Sequence, residues 1–225
     1  MRFVNEFYEI NNMKNDDLLK HSAGPPLTLN PDLKFIYIFG DPVKSVISLF
    51  RRDLHHPHSK KMELLNPGES HLIPEKATLM DYAKRGTDHF GFQKHFTNWQ
   101  RSEIQNDILF IRLETMHRNM DRILDYLDLD QTCSDQFPKK IRRNSDPSAL
   151  PSEIKEGLQH IYTDFRNQLD SVPDIFLKEG VSYSILDKIK LFLKWTLLIL
   201  RDWLVLLKKS LKPAYEKLFK KLNER

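Results

Sequence analysis

Gly40-Asp41-Pro42 is followed, six positions after the proline, by Ser48, and then by the adjacent cations Arg51 and Arg52. This set of residue types can hold an anion. Backbone N–H groups at a helix start, a hydroxyl donor and a guanidinium are what a phosphate needs. Asp41 suits an N-cap and Pro42 the first helical position, so the N–H groups at the start of the helix would point at the ligand. Arg51 and Arg52 lie three and four positions after Ser48, which puts them on its side of a helix. The plain alternative is a turn, a surface serine and an exposed basic pair.

Other groupings point to less chemistry. His55-His56-Pro57-His58 has neighbouring imidazoles with a proline between them, and no cysteine or carboxylate cluster close by, so the segment is expected to be a loop and no metal site is expected. Asp125, Asp128 and Asp130 lack the glycine and the final glutamate of a calcium loop. Phe90, Phe92, Phe96 and Trp99 fall on one helix and its approach, where core packing explains them better than base stacking.

The elements that must position these residues are legible as two strand-then-helix units. Lys34 to Phe39 is a short apolar run without helical period and reads as a buried strand, with a helix from Val43 to Arg52. Ile108 to Ile111 is a second run, closed by Arg112, Leu113 and Glu114, with helical spacing through Met116, Met120, Ile123, Leu124 and Leu127. Repeated units of this kind predict a parallel sheet covered by helices, an α/β fold. Helices are also expected at Thr78 to Lys84, at Phe90 to Arg101, and from a Ser152 cap to about Leu169. His55 to Pro74 is expected to be one long loop.

The length of 225 residues suits one α/β domain, residues 1–180, with an appendage, residues 181–225. A single cysteine, Cys133, rules out an internal disulfide framework, and no apolar leader opens the sequence, so a cytoplasmic location is expected. The net charge of +4 is uneven. Leu186 to Arg225 carries eleven Lys/Arg against four Asp/Glu, a balance of +7, which leaves −3 for the other 185 residues. A pI near 9.0 is therefore a property of the tail, and the body is not expected to bind nucleic acid. Ile185 to Lys212 reads as an amphipathic helix, with Asp187, Lys190, Lys194, Arg201, Asp202, Lys208, Lys209 and Lys212 within about a third of the wheel, Lys188 as the exception, and Trp195 and Trp203 in the wide apolar face. Lys194, Arg201 and Asp202 make it a poor membrane span. Three settings stay open for it: a membrane surface, a homodimer, or packing on its own domain.

The stretch Tyr37-Ile38-Phe39-Gly40-Asp41-Pro42, continuing to Ser48 and Phe50, resembles the 3′-phosphate loop of PAPS-dependent sulfotransferases. Asp41, Pro42, Ser48 and Phe50 match that family's pattern. The resemblance continues in Tyr82 to Gly86, in Phe90 to Trp99, in Ile108 to Glu114 with Asp125 to Leu129, and in Asn144-Ser145 with the helix ending near Leu169. It covers about residues 16 to 172. Gly40 departs from it, because the family has arginine there. A bidentate phosphate donor is lost with that change, and Arg51 or Arg52 is the expected substitute.

The resemblance implies a partial P-loop-type sheet and PAPS as co-substrate, with Asp41, Ser48, Arg51 and Arg52 toward the nucleotide and no metal. It implies sulfate transfer to a hydroxyl acceptor, carbohydrate being one class. Leu18-Leu19-Lys20-His21 resembles the family's Lys-Thr-His strand without its threonine, which implies His21 as the base beside Lys20. The Lys-bearing loop that grips the 5′-phosphosulfate has no counterpart here and is expected ahead of Met1. The chain is then a fragment of a transferase or a degenerate, non-catalytic relative, and the sequence leaves both open.

Overall fold

The computed structural model describes residue 25, residues 32–65, 71–137 and 146–186, and residues 189, 190, 192, 193 and 196. The chain divides into two units. The first holds Met1–Pro26 and Asp32–Gly180, and the second Leu27–Pro31 and Val181–Arg225.

In the first unit a three-stranded sheet runs in the order β1 (Phe35–Phe39), β2 (Ile108–Arg112), β3 (Ile175–Lys178). β1 and β2 pair in parallel, with Phe35 opposite Ile108 and Phe39 opposite Arg112. β3 adds antiparallel to β2, with Ile111 opposite Ile175. The fold is thus α/β as expected, but the sheet is mixed. β2 reads as an unbroken apolar run because both of its faces are covered, whereas β1 is covered mainly on one face, with Ile38 53% exposed on the other. Phe35, Tyr37, Phe39, Ile108, Phe110 and Phe176 enter the larger core. Ile36, Leu109, Ile111 and Ile175 enter a smaller one on the other face, against Met120, Ile123 and Leu124.

The helices in chain order are α1 (Pro42–Arg51), α2 (His55–Leu65), α3 (Leu79–Lys84), α4 (Phe92–Gln100), α5 (Met120–Tyr126) and α6 (Ser152–Asp170). α2 corrects the expected loop. Pro57 falls in its first turn, where the missing N–H has no helical partner to lose. His55 and His56 fasten the segment from outside, through ring nitrogens 3.0 Å from the Glu75 carbonyl and 2.7 Å from the Ile73 carbonyl. Thr78 caps α3 in a reciprocal capping box with Asp81. Ser152 is the first helical residue of α6 and not its cap; Pro151 holds that position and makes no side-chain cap. Gly157 of α6 lies on α3, and a Cβ there would stand 2.8 Å from the Ala83 carbonyl oxygen. Five residues further along α6, Tyr162 meets Tyr82.

In the second unit residues 185, 186, 189, 190, 192, 193 and 196 are helical. Among the described residues no helix is long and apolar enough to cross a membrane.

Candidate functional site

The turn after β1 has the shape expected of it and a different use of its donors. Asp41 is the N-cap of α1, and its Oδ1 accepts from Val43 N at 2.9 Å and Lys44 N at 3.3 Å. Pro42 is at the first helical position. The Asp41 N–H donates to Glu114 Oε1 at 3.0 Å. The N–H groups that the sequence offers to an anion therefore donate to two carboxylates of the protein itself.

Glu114 reaches the turn because Leu113 N donates to the Phe39 carbonyl at 2.7 Å, tying the end of β2 to the end of β1. Gly40 is the residue that admits it. A Cβ at position 40 would meet Glu114 Oε2 at 3.2 Å and Leu113 Cβ at 3.3 Å. A larger side chain at position 40 would therefore require Glu114 or Leu113 to give way.

Two guanidinium groups come close to this end of the sheet. Arg112, largely covered, is committed to Asp174 at 2.7 Å and to the Leu169 carbonyl. Arg166 stands 3.5 Å from Asp41 Oδ2 and keeps 46% of its side chain exposed. Sequence reasoning did not single out Arg166 as a ligand. Its signal was its position on α6, four residues after the buried Tyr162 and therefore on the same side of the helix.

Ser48 is half-buried on α1, and Arg51 and Arg52 are exposed at its end. Val46 and Ile47 before Ser48 are fully buried, so the helix presents Ser48 at the margin of its core face. Phe50 stacks on His55 at 4.4 Å with the rings 6° apart and packs against the larger core. It is spent on packing. His21 and Lys20 lie outside the described residues.

The aromatic residues from Phe90 to Trp99 are core, with Phe90, Phe96 and Trp99 buried. Beneath them is a polar chain that sequence reasoning missed. The Tyr82 and Tyr162 hydroxyls lie 2.6 Å apart, and Tyr162 donates to Asp88 Oδ1 at 2.9 Å. Asp88 also accepts from Phe90 N and Gln93 N, both at 3.2 Å, at the start of α4. Burial holds its carboxyl above the usual carboxylate range and raises both tyrosines. The next residue, His89, is buried and shifted the other way, lowered first by burial and then by the charges of Arg85 and His71. Tyr37, raised by burial, shares a 2.7 Å hydrogen bond with His95 Nδ1 on the sheet's larger core side.

Among the described residues no group of three or more His, Cys, Asp or Glu is placed to hold a metal ion. Asp130 instead caps a short 3-10 turn by accepting from Thr132 N, and Asp128 pairs with Lys34.

The fold and site define a mixed α/β protein with an acidic, self-capped turn at the shared end of its parallel strands. Comparison with known proteins adds no relative: no family model matches the chain, and no curated protein or solved structure is significantly similar to it.

Proposed function

We propose that this is a sulfotransferase-like protein that binds a 3′-phosphorylated adenosine nucleotide, PAPS or its product, beside the turn after β1, for sulfate transfer to a hydroxyl acceptor, with carbohydrate as the candidate class. The observation that carries the reading is the strand–turn–helix unit on a parallel pair, with an exposed guanidinium, Arg166, 3.5 Å from the capping Asp41. Arg166 supplies in space the cation that Gly40 does not supply in sequence. Ser48 is the hydroxyl donor, and Arg51 and Arg52 add positive charge further along α1. The nucleotide phosphate then depends on side chains, because the backbone donors of the turn are in use. Sulfuryl transfer asks the protein mainly to position groups and neutralise charge.

A second reading is favoured by Glu114. Its carboxylate packs against Gly40 and holds the Asp41 N–H, so the turn offers negative charge where a phosphate would arrive. On that reading the protein keeps the scaffold as a non-catalytic binding module.

Calorimetry with 3′-phosphoadenosine 5′-phosphate separates the two. The nucleotide reading expects saturable binding that falls at least about tenfold in Arg166→Glu and in Arg51→Glu/Arg52→Glu, the loss of a charge-assisted contact. No heat at millimolar nucleotide, or affinity indifferent to all three charge reversals, would overturn it in favour of the module.

A further inference from the structure

Ahead of α3, residues 71–77 form neither helix nor strand, and histidines hold them down. The Ile73 carbonyl accepts from His56 Nδ1 at 2.7 Å, and the Glu75 carbonyl from His55 Nε2 at 3.0 Å. A carbonyl can only accept, so these two nitrogens carry the ring protons. Ile73 N donates to Ser59 Oγ at 3.0 Å, and the Ile73 side chain is fully buried. At the other end of the segment, His71 N donates to the His89 carbonyl at 3.3 Å. The His71 and His89 rings meet edge to face with their centroids 5.2 Å apart.

His89 is the weak point of this clasp. It is 8% exposed, and its Nδ1 is buried without a hydrogen-bond partner. The groups that face it do not welcome a positive charge. Arg85, at the end of α3, and His71, on the segment itself, oppose it. Tyr82 of α3 offers a ring 6.0 Å away, and His58 of α2 packs on Phe90, the next residue. The neighbouring carboxyl, Asp88, is turned to Tyr162 and the start of α4. A proton on His89 therefore arrives in a buried position beside a guanidinium, with no acceptor at Nδ1. Burial first, and then the charges of Arg85 and His71, make it harder to add in place. Lifting the segment uncovers the ring and takes His71 away from it. The lifted state thus binds the proton more readily, and falling pH favours that state. The contacts that must break are local to the segment, so the sheet need not part with them.

We propose that residues 71–77 are an acid-released strap: protonation of His89 parts it from His71 and lifts the segment, baring Ile73 and freeing the His55 and His56 rings while the sheet stays folded. This is independent of the nucleotide reading above.

The test is amide hydrogen exchange of the full chain, read by mass spectrometry at about pH 7.5 and about pH 5 and corrected for the intrinsic pH dependence of exchange. Protection of residues 71–77 should fall at least about fivefold at the lower pH, while that of β2 holds. His89→Gln should abolish the loss. Arg85→Gln removes an exposed cation that opposes the proton in the closed state, so the two states come to differ less and the loss should shrink. His56→Ala removes a tie and not the trigger, and should lower protection at both pH values. Equal protection of residues 71–77 at the two pH values would overturn the proposal. An equal loss in β2 would overturn it as well, because that is global unfolding. So would a loss that His89→Gln and Arg85→Gln both leave at full size.

Discussion

Asp41 and Asp88 do the same local job in two different settings. Each stands before a helix and accepts two backbone N–H groups, Asp41 as the N-cap of α1 from Val43 and Lys44, and Asp88, ahead of the Gly91 N-cap of α4, from Phe90 in the approach and Gln93 in the first turn. Asp41 then meets water and Arg166, with a fifth of its side chain exposed. Asp88 meets Tyr162, and behind it Tyr82, both fully buried. The same pair of backbone contacts thus leaves one carboxylate beside water and places the other at the end of an internal polar chain. Burial makes the Asp88 carboxyl costly to ionise. A capping motif in the sequence indicates where a helix begins, and the layer above it determines whether the carboxylate remains usable.

The largest effect should come from breaking the buried member. Asp88→Ala removes the acceptor for two backbone donors and leaves the Tyr162 hydroxyl without its partner, at a cost of about 2–4 kcal/mol. Urea unfolding measures it. Asp88→Asn keeps an acceptor oxygen and drops the charge, so it should cost much less. If the two variants were equally destabilised, the carboxylate's charge rather than its hydrogen bonding would be what the core uses.

Asp41→Ala is the matching change at the surface and should cost about 1 kcal/mol, the ordinary worth of an N-cap. Its ion pair adds little, since Arg166 is nearly half exposed. The same variant sharpens the proposed site. It frees Val43 N and Lys44 N and removes a negative charge from the turn, so affinity for 3′-phosphoadenosine 5′-phosphate should rise. A fall would show that the Asp41 carboxylate itself holds Arg166 in the binding position.

The outline of the fold is legible because strand burial leaves its mark as apolar runs. β1 and β2 are such runs, β2 buried on both faces and β1 mainly on one, and each is followed by its helix. β3 is not legible, since it has four residues, follows Val172-Pro173-Asp174, and is half exposed at Leu177. α2 was hidden by composition. Histidine, proline and lysine read as loop, and the contacts that make the segment helical, from His55 and His56 to carbonyls some twenty residues away, have no local signature. At the site, the cap and the proline were readable from types and spacing. Glu114 and Arg166 were not, because each arrives from a different element.

The smallest effect is one of pH, and it distinguishes the buried aspartate from its own neighbour. The carboxyl of Asp88 is raised, so its contribution is fully present below the ordinary carboxylate pKa and is lost as pH rises through the folded value. His89 is lowered, so its contribution is present above about pH 6.5 and is lost as pH falls through the folded value. On acidification from neutrality, the lowered His89 weakens the fold and the raised Asp88 offsets part of the loss. Urea midpoints of His89→Gln should accordingly fall less than those of the unaltered chain as pH drops from about 7. Those of Asp88→Asn should fall more steeply over the same descent. If the midpoints of Asp88→Asn followed those of the unaltered chain at every pH, the raised carboxyl of Asp88 would not contribute to the acid range.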